Sequence, residues 1–228
     1  MWRRSLPPIH PEGWRFIAIF AVATLILFWI ARPLGYLGLI ATIWCVLFFR
    51  NPWRVTPQRA GLVVAPADGL VVVVDEAAPP PELGMGGQPM RRIGIFLSIF
   101  DVHINRVPAS GRVAKTAYRE GKFINAALDK ASDDNERMAI RLTLDDGADI
   151  AVVQIAGLIA RRIVCQLTEG QSVIAGQPLG LIRFGSRTDL YFPLDWTHFA
   201  IVGQRMVGGE TVIADRESRE PPRQGVTH

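Results

Sequence analysis

A mainly β domain behind an N-terminal α-helical membrane hairpin is the architecture this chain predicts, and three observations predict it. Two apolar runs, Phe16–Ala31 and Leu34–Phe49, fill most of the first fifty residues. After Pro52 the pattern changes to short β-branched runs set between Gly-containing turns. Mean hydropathy is +0.21, high for a water-soluble domain, and the excess lies in those first residues.

The first apolar run is broken only by Thr24, and Arg32-Pro33-Leu34-Gly35 separates it from the second. Each is a little short of the roughly 20 residues that carry a helix across a bilayer. Trp14, Trp29, Trp44 and Trp53 stand toward the run ends, where indole rings favour the interface. Arg3, Arg4 and Arg15 precede the first run, Arg50, Arg54 and Arg59 follow the second, and Arg32 alone lies between. The positive-inside rule then puts both ends of the anchor, residues 1–52, on the cytoplasmic side of the cell (inner) membrane. A full crossing and a dip into one leaflet both fit. Two runs without a small-residue cleavage site argue against a signal peptide.

Strands are expected at Leu62–Ala65, Leu70–Val74, Ile93–Ser98, Ala139–Leu144, Ile150–Gln154, Ile163–Leu167 and Pro178–Ile182. Asp68-Gly69, Asp146-Gly147 and Glu169-Gly170 read as turns, the first as a hairpin between its flanking runs. Pro79-Pro80-Pro81 with Gly84-Met85-Gly86-Gly87 reads as an exposed loop, and residues 125–130 as a short helix. The folded domain is expected over 53–214, with a polar, unfolded tail over 215–228. The segment Glu169–Gly180 resembles the hairpin of biotinyl/lipoyl-type domains, which implies a barrel-sandwich fold.

Net charge is +4, which suits an anionic partner. No aromatic-and-basic RNA motif or zinc-finger spacing occurs, so neither nucleic acid nor a metal is expected. Two cysteines, Cys45 and Cys165, do not make a disulfide framework.

Chemistry concentrates at Phe184-Gly185-Ser186. Gly185 lacks a Cβ, so its carbonyl can be approached closely. Attack by the Ser186 hydroxyl would turn the amide into an ester. Elimination would then expel the upstream chain as its C-terminal carboxylate and leave dehydroalanine, which hydrolyses to a pyruvoyl group and ammonia. A base must take the hydroxyl proton. His103 is the candidate, because His10 and His228 fall in expected tails and His198 reads equally as a packing residue. Asp68 is a possible orienting carboxylate or a plain turn residue, and Asp101 shares that ambiguity. Arg106 suits a carboxylate, a phosphate or the surface, and Arg161-Arg162 suits a solvated or membrane-facing pair.

Ala65-Pro66-Ala67-Asp68-Gly69, Phe96-Leu97-Ser98, Asp101 to Pro108, Asn125 to Ala131, Asp134 to Arg137 and Gly180 to Arg187 together resemble the phosphatidylserine decarboxylase proenzymes of the short, archaeal-type form. The resemblance spans nearly the whole chain. It implies cleavage between Gly185 and Ser186 into a β chain, 1–185, and an α chain, 186–228. It implies Asp68, His103 and Ser186 as the processing triad and a covalent pyruvoyl cofactor; Asp101 and Arg106 stand beside them as candidate supporting residues on the residue reading alone. Longer members carry a second His where this chain has Arg106, and a Leu-Gly-Ser-Thr motif against Phe-Gly-Ser-Arg here. His103 would then serve both cleavage and turnover. The implied reaction converts phosphatidylserine to phosphatidylethanolamine through a Schiff base that drains the electrons of the departing carboxylate. The implied partners are membrane phosphatidylserine and a second copy in a homodimer.

A carrier reading competes, because Asp129-Lys130-Ala131 spells a lipoyl-attachment tripeptide. Lys130 lies well upstream of the hairpin tip where a carrier lysine belongs. A membrane-anchored transport adaptor would need long coiled-coil segments, and no sustained heptad run occurs.

Overall fold

The two apolar runs form α1 (Trp14–Ile30) and α2 (Arg32–Phe48) in a computed structural model that describes residues 6–121, 135–157, 162–183, 185–221 and 223–226. The helix expected at 125–130, with Lys130, lies outside the described residues, as do Arg161, Phe184 and His228. The chain forms two compact units, Met1–Trp53 with Phe100–Val102, and Arg54–Ile99 with His103–His228.

In the first unit the helix breaks at Ala31, whose backbone is extended. Pro33 follows, at a position where it cannot donate back to the preceding turn. The two helices run antiparallel. Thr24 Oγ1 and Thr42 Oγ1 hydrogen-bond across the seam at 2.9 Å, and each hydroxyl also bonds a carbonyl of its own helix. Buried Gly35 and Gly38 let the helices approach there. The outer faces stay apolar and exposed, with Leu25 and Trp29 on α1 and Leu37 and Ile40 on α2. Pro11–Ile30, 20 residues of mean hydropathy 2.0, is long and apolar enough to cross a membrane, while α2 is shorter at 17 residues. His10 is not in a loose tail. It is buried, its N–H bonds the Phe49 carbonyl at 2.9 Å, and its Nδ1 accepts from Glu12 N–H at 3.3 Å.

The second unit is mainly β. Its strands are β1 (Leu62–Val64), β2 (Gly69–Ala77), β3 (Met90–Leu97), β4 (Ile104–Arg106), β5 (Gly111–Arg119), β6 (Arg137–Leu144) and β7 (Asp149–Ala156). They continue with β8 (Ile163–Cys165), β9 (Ser172–Val173), β10 (Pro178–Ile182), β11 (Ser186–Phe192), β12 (Thr197–His198), β13 (Arg205–Met206) and β14 (Val212–Asp215). A curled eight-stranded sheet has the order β13-β2-β3-β11-β7-β6-β5-β9, and two small sheets have the orders β1-β14-β12 and β4-β10-β8. Side chains from all three fill one core, among them Val63, Ile93, Leu142, Val152, Leu179, Phe192 and Ile213.

The seven expected strands all form. Asp146-Gly147 turns β6 into β7, with Leu144 N–H bonding Ala148 O at 2.8 Å. Asp68-Gly69 is not a hairpin turn, because β1 pairs with β14 while β2 pairs with β3 and β13. The Glu169–Ile182 segment does not pair with itself either: β9 joins β5, whereas β10 joins β4 and β8. The chain beyond 214 is partly packed. Asp215 ends β14 and pairs with Arg59, Ser218 O accepts from Thr197 Oγ1 at 2.7 Å, and Arg223 lies 4.1 Å over the Phe199 ring.

Candidate active site

Ser186 stands at the head of β11. All seven residues of β11 are buried. Ser186 pairs with Leu97 of β3 on one side and Ala156 of β7 on the other. Side chains alternate along a strand, so Ser186, Thr188, Leu190 and Phe192 share the core face. Leu190 and Phe192 meet the main core there. Ser186 is fully buried, and its Oγ has no hydrogen-bond partner among the described residues. Gly185 just before it has φ +63°, the left-handed region that glycine enters freely, while the space its Cβ would occupy is open. Its backbone conformation, not crowding, therefore calls for glycine.

His103 is 1% exposed and directly precedes β4. β4 pairs with β10, Ile104 against Leu181, and β10 leads within a few residues to Gly185. A buried polar chain ties β4 to β11. Asn105 Nδ2 donates to Thr188 Oγ1 at 3.1 Å, and Gln154 Nε2 donates to Asn105 Oδ1 at 2.7 Å. His103 and Ser186 thus each lie two residues from a hydrogen-bonded pair.

Asp68 accepts from Arg54 Nη2 at 2.9 and 2.7 Å and from Gly208 N–H at 2.7 Å. Arg54, counted above with the anchor's basic flank, pairs here with Asp68. Arg106 is buried, and its Nη1 donates to Gly176 O at 2.8 Å. Burial first, then the charge of Arg54, pushes Arg106 down to about 10, while Asp68 and Glu210 pull it up. Arg106 therefore stays protonated at neutral pH. Asp68 and Arg106 belong to one charged cluster with Arg54 and Glu210. Asp101 lies in the helical unit with Phe100 and Val102.

Sequence inspection passed over the other face of β11. Arg187 Nε donates to Asp189 Oδ1 at 2.5 Å and Nη2 to Oδ2 at 2.9 Å, with both side chains fully buried. Gly94, opposite Asp189 on β3, makes room, since a Cβ there would stand 2.8 Å from Arg187 Nε. The signal was present as a charged pair at i and i+2. Arg and Asp in a short run had hidden a central strand.

A family model described as phosphatidylserine decarboxylase matches residues 41–214. The chain belongs to the phosphatidylserine decarboxylase family. Three relatives, each named phosphatidylserine decarboxylase proenzyme, extend the likeness to almost the full length. The protein from Cereibacter sphaeroides is 54% identical over 96% of this chain and 95% of its own. That from Paramagnetospirillum magneticum is 56% identical over 96% and 91%, and that from Beijerinckia indica subsp. indica is 53% identical over 96% and 94%. Within this family the step from half-buried Gly185 to fully buried Ser186 is the feature that calls for a chemical account.

Proposed function

We propose that this chain is a self-cleaving proenzyme that decarboxylates phosphatidylserine to phosphatidylethanolamine with a pyruvoyl group made from Ser186. One observation carries this: the Ser186 hydroxyl is wholly buried, without a partner among the described residues, beside a left-handed Gly185. A buried polar atom left unpaired costs about 1–3 kcal/mol, and a reactive role explains why the cost is carried.

Those residues fit the group, which would stand at the head of β11. When formed, its conjugated carbonyl supplies the electron sink for the departing carboxylate. His103 takes the Ser186 proton during cleavage and returns a proton to the product's α-carbon. Asp68, Asp101 and Arg106 support it, with Asp68 fixed by Arg54 and Gly208. The strands of β3 and β7 exclude water and hold β11, so the α chain, 186–228, stays bound to the β chain, 1–185.

The wider placement is also ours. The 20-residue apolar helix supports attachment to the cell (inner) membrane, where the substrate lies. Arg15 and Arg50 at one end of the hairpin support a cytoplasmic catalytic domain. The curled eight-stranded sheet and two small sheets closed on one core support the biotinyl/lipoyl-like barrel sandwich. Family membership supports a homodimer.

Intact mass spectrometry beside a Ser186→Ala variant tests the proposal. Two fragments meeting at 185/186, the smaller without an N-terminal amine, and a whole variant are expected. A folded wild-type chain of full mass would sink it.

A further inference from the structure

The loop just ahead of His103 is built into the helical unit. Phe100–Val102 group with Met1–Trp53 and not with the strands on either side. Arg50 is the tie. Its Nη1 donates to Leu47 O at 2.6 Å and its Nη2 to Phe100 O at 3.1 Å. The last carbonyls of a helix carry partial negative charge, so a guanidinium fits the Leu47 carbonyl, which the Arg50 N–H also bonds at 3.3 Å. The same bond seats Phe100 at the open end of the hairpin, where α1 begins and α2 ends.

That end is rich in exposed aromatic surface. Phe100 is 71% exposed, Trp53 64% and Trp14 60%. Large exposed aromatics with arginines, beside a helix able to cross a bilayer, make the pattern of a membrane interface. In water such a patch would be a liability. Arg50 holds Phe100 by its backbone carbonyl, and 71% of the residue's surface stays exposed.

We propose that the Phe100–Val102 loop is a membrane-contacting element, with the Phe100 ring inserted among the headgroups of the lipid bilayer that carries α1 and α2. Continuity with the apolar helix and the arginine strap favour a lipid surface as the occupant. The proposal rests on the membrane association argued above and deepens it. His103 follows the loop directly in the chain.

The test uses the full-length chain on phosphatidylcholine/phosphatidylglycerol vesicles. An environment-sensitive fluorophore is attached at Phe100→Cys in a Cys45→Ser, Cys165→Ser background. Quenching by acyl-brominated lipid, with little quenching by aqueous iodide, is expected. Phe100→Ser should raise the apparent KM for vesicular phosphatidylserine about five- to tenfold, less than the full burial of one aromatic ring is worth because the ring is only partly inserted. It should leave kcat, self-cleavage and turnover of a dispersed short-chain substrate unchanged. A chain that binds vesicles while the probe stays open to iodide overturns the loop proposal alone. A wild-type chain that does not bind vesicles overturns the membrane association and the loop proposal together.

Discussion

Asp189→Asn, made in a Ser186→Ala background, should destabilise the chain by about 3–5 kcal/mol. Arg187 and Asp189 are fully buried and joined by two bonds of 2.5 and 2.9 Å. Asparagine keeps the shape but removes the charge and one acceptor of this bidentate pair. Charge-assisted bonds are each worth about 1.5–3 kcal/mol, so losing one bond and the charge that strengthens the other, with Arg187 left buried beside a neutral group, agrees with the cost of breaking a buried ion pair. That is a large share of the roughly 5–15 kcal/mol that holds a domain together. The Ser186→Ala change keeps the precursor a single chain, so urea unfolding in detergent, followed by circular dichroism, reads one equilibrium. A double replacement, Arg187→Met with Asp189→Leu, should recover most of the loss, because an apolar pair strands no charge. A cost below about 1 kcal/mol for Asp189→Asn would refute the reasoning. It would mean that water reaches the pair.

Two further outcomes follow from the site and its surroundings. Asn105→Leu removes the donor to Thr188 Oγ1 and the acceptor for Gln154 Nε2, all in fully buried residues. It should lower stability by about 1–3 kcal/mol and slow precursor cleavage, and an unchanged melt with wild-type cleavage would refute the link. His198 is held below its usual 6.5, by burial first and then by the Arg91 charge, against a backbone hydrogen bond with Ala200. The unfolded chain therefore takes the proton first, so this stability is present above about pH 6.5 and is lost as pH falls. His198→Asn should flatten the decline of Tm between about pH 6.5 and 5, and an unaltered slope would exclude His198 as a source.

Legibility in the sequence followed the physical range of each signal. The apolar runs were plain, because apolarity over a whole helix needs no partner to be seen. The Asp146-Gly147 hairpin was plain for the same local reason. The strand that carries Ser186 was not, since Arg187, Thr188 and Asp189 depress any strand signal. Arg54 was read as a membrane-flanking charge because the sequence does not show that Asp68 waits 14 residues on.

The sequence by itself determined the apolar hairpin, the mainly β domain and the order of motifs that ends in Gly185-Ser186. Those properties reside in composition, spacing and short-range turn chemistry. Tertiary structure alone decided that β11 is central and that Asn105, Gln154 and Thr188 share buried bonds beside it. It also decided that Asp68 faces Arg54 and that Arg50 grips the loop before His103. Each of these depends on which strands pair and which charges lose water. Both are set by contacts between residues far apart in the chain, where local preference is silent.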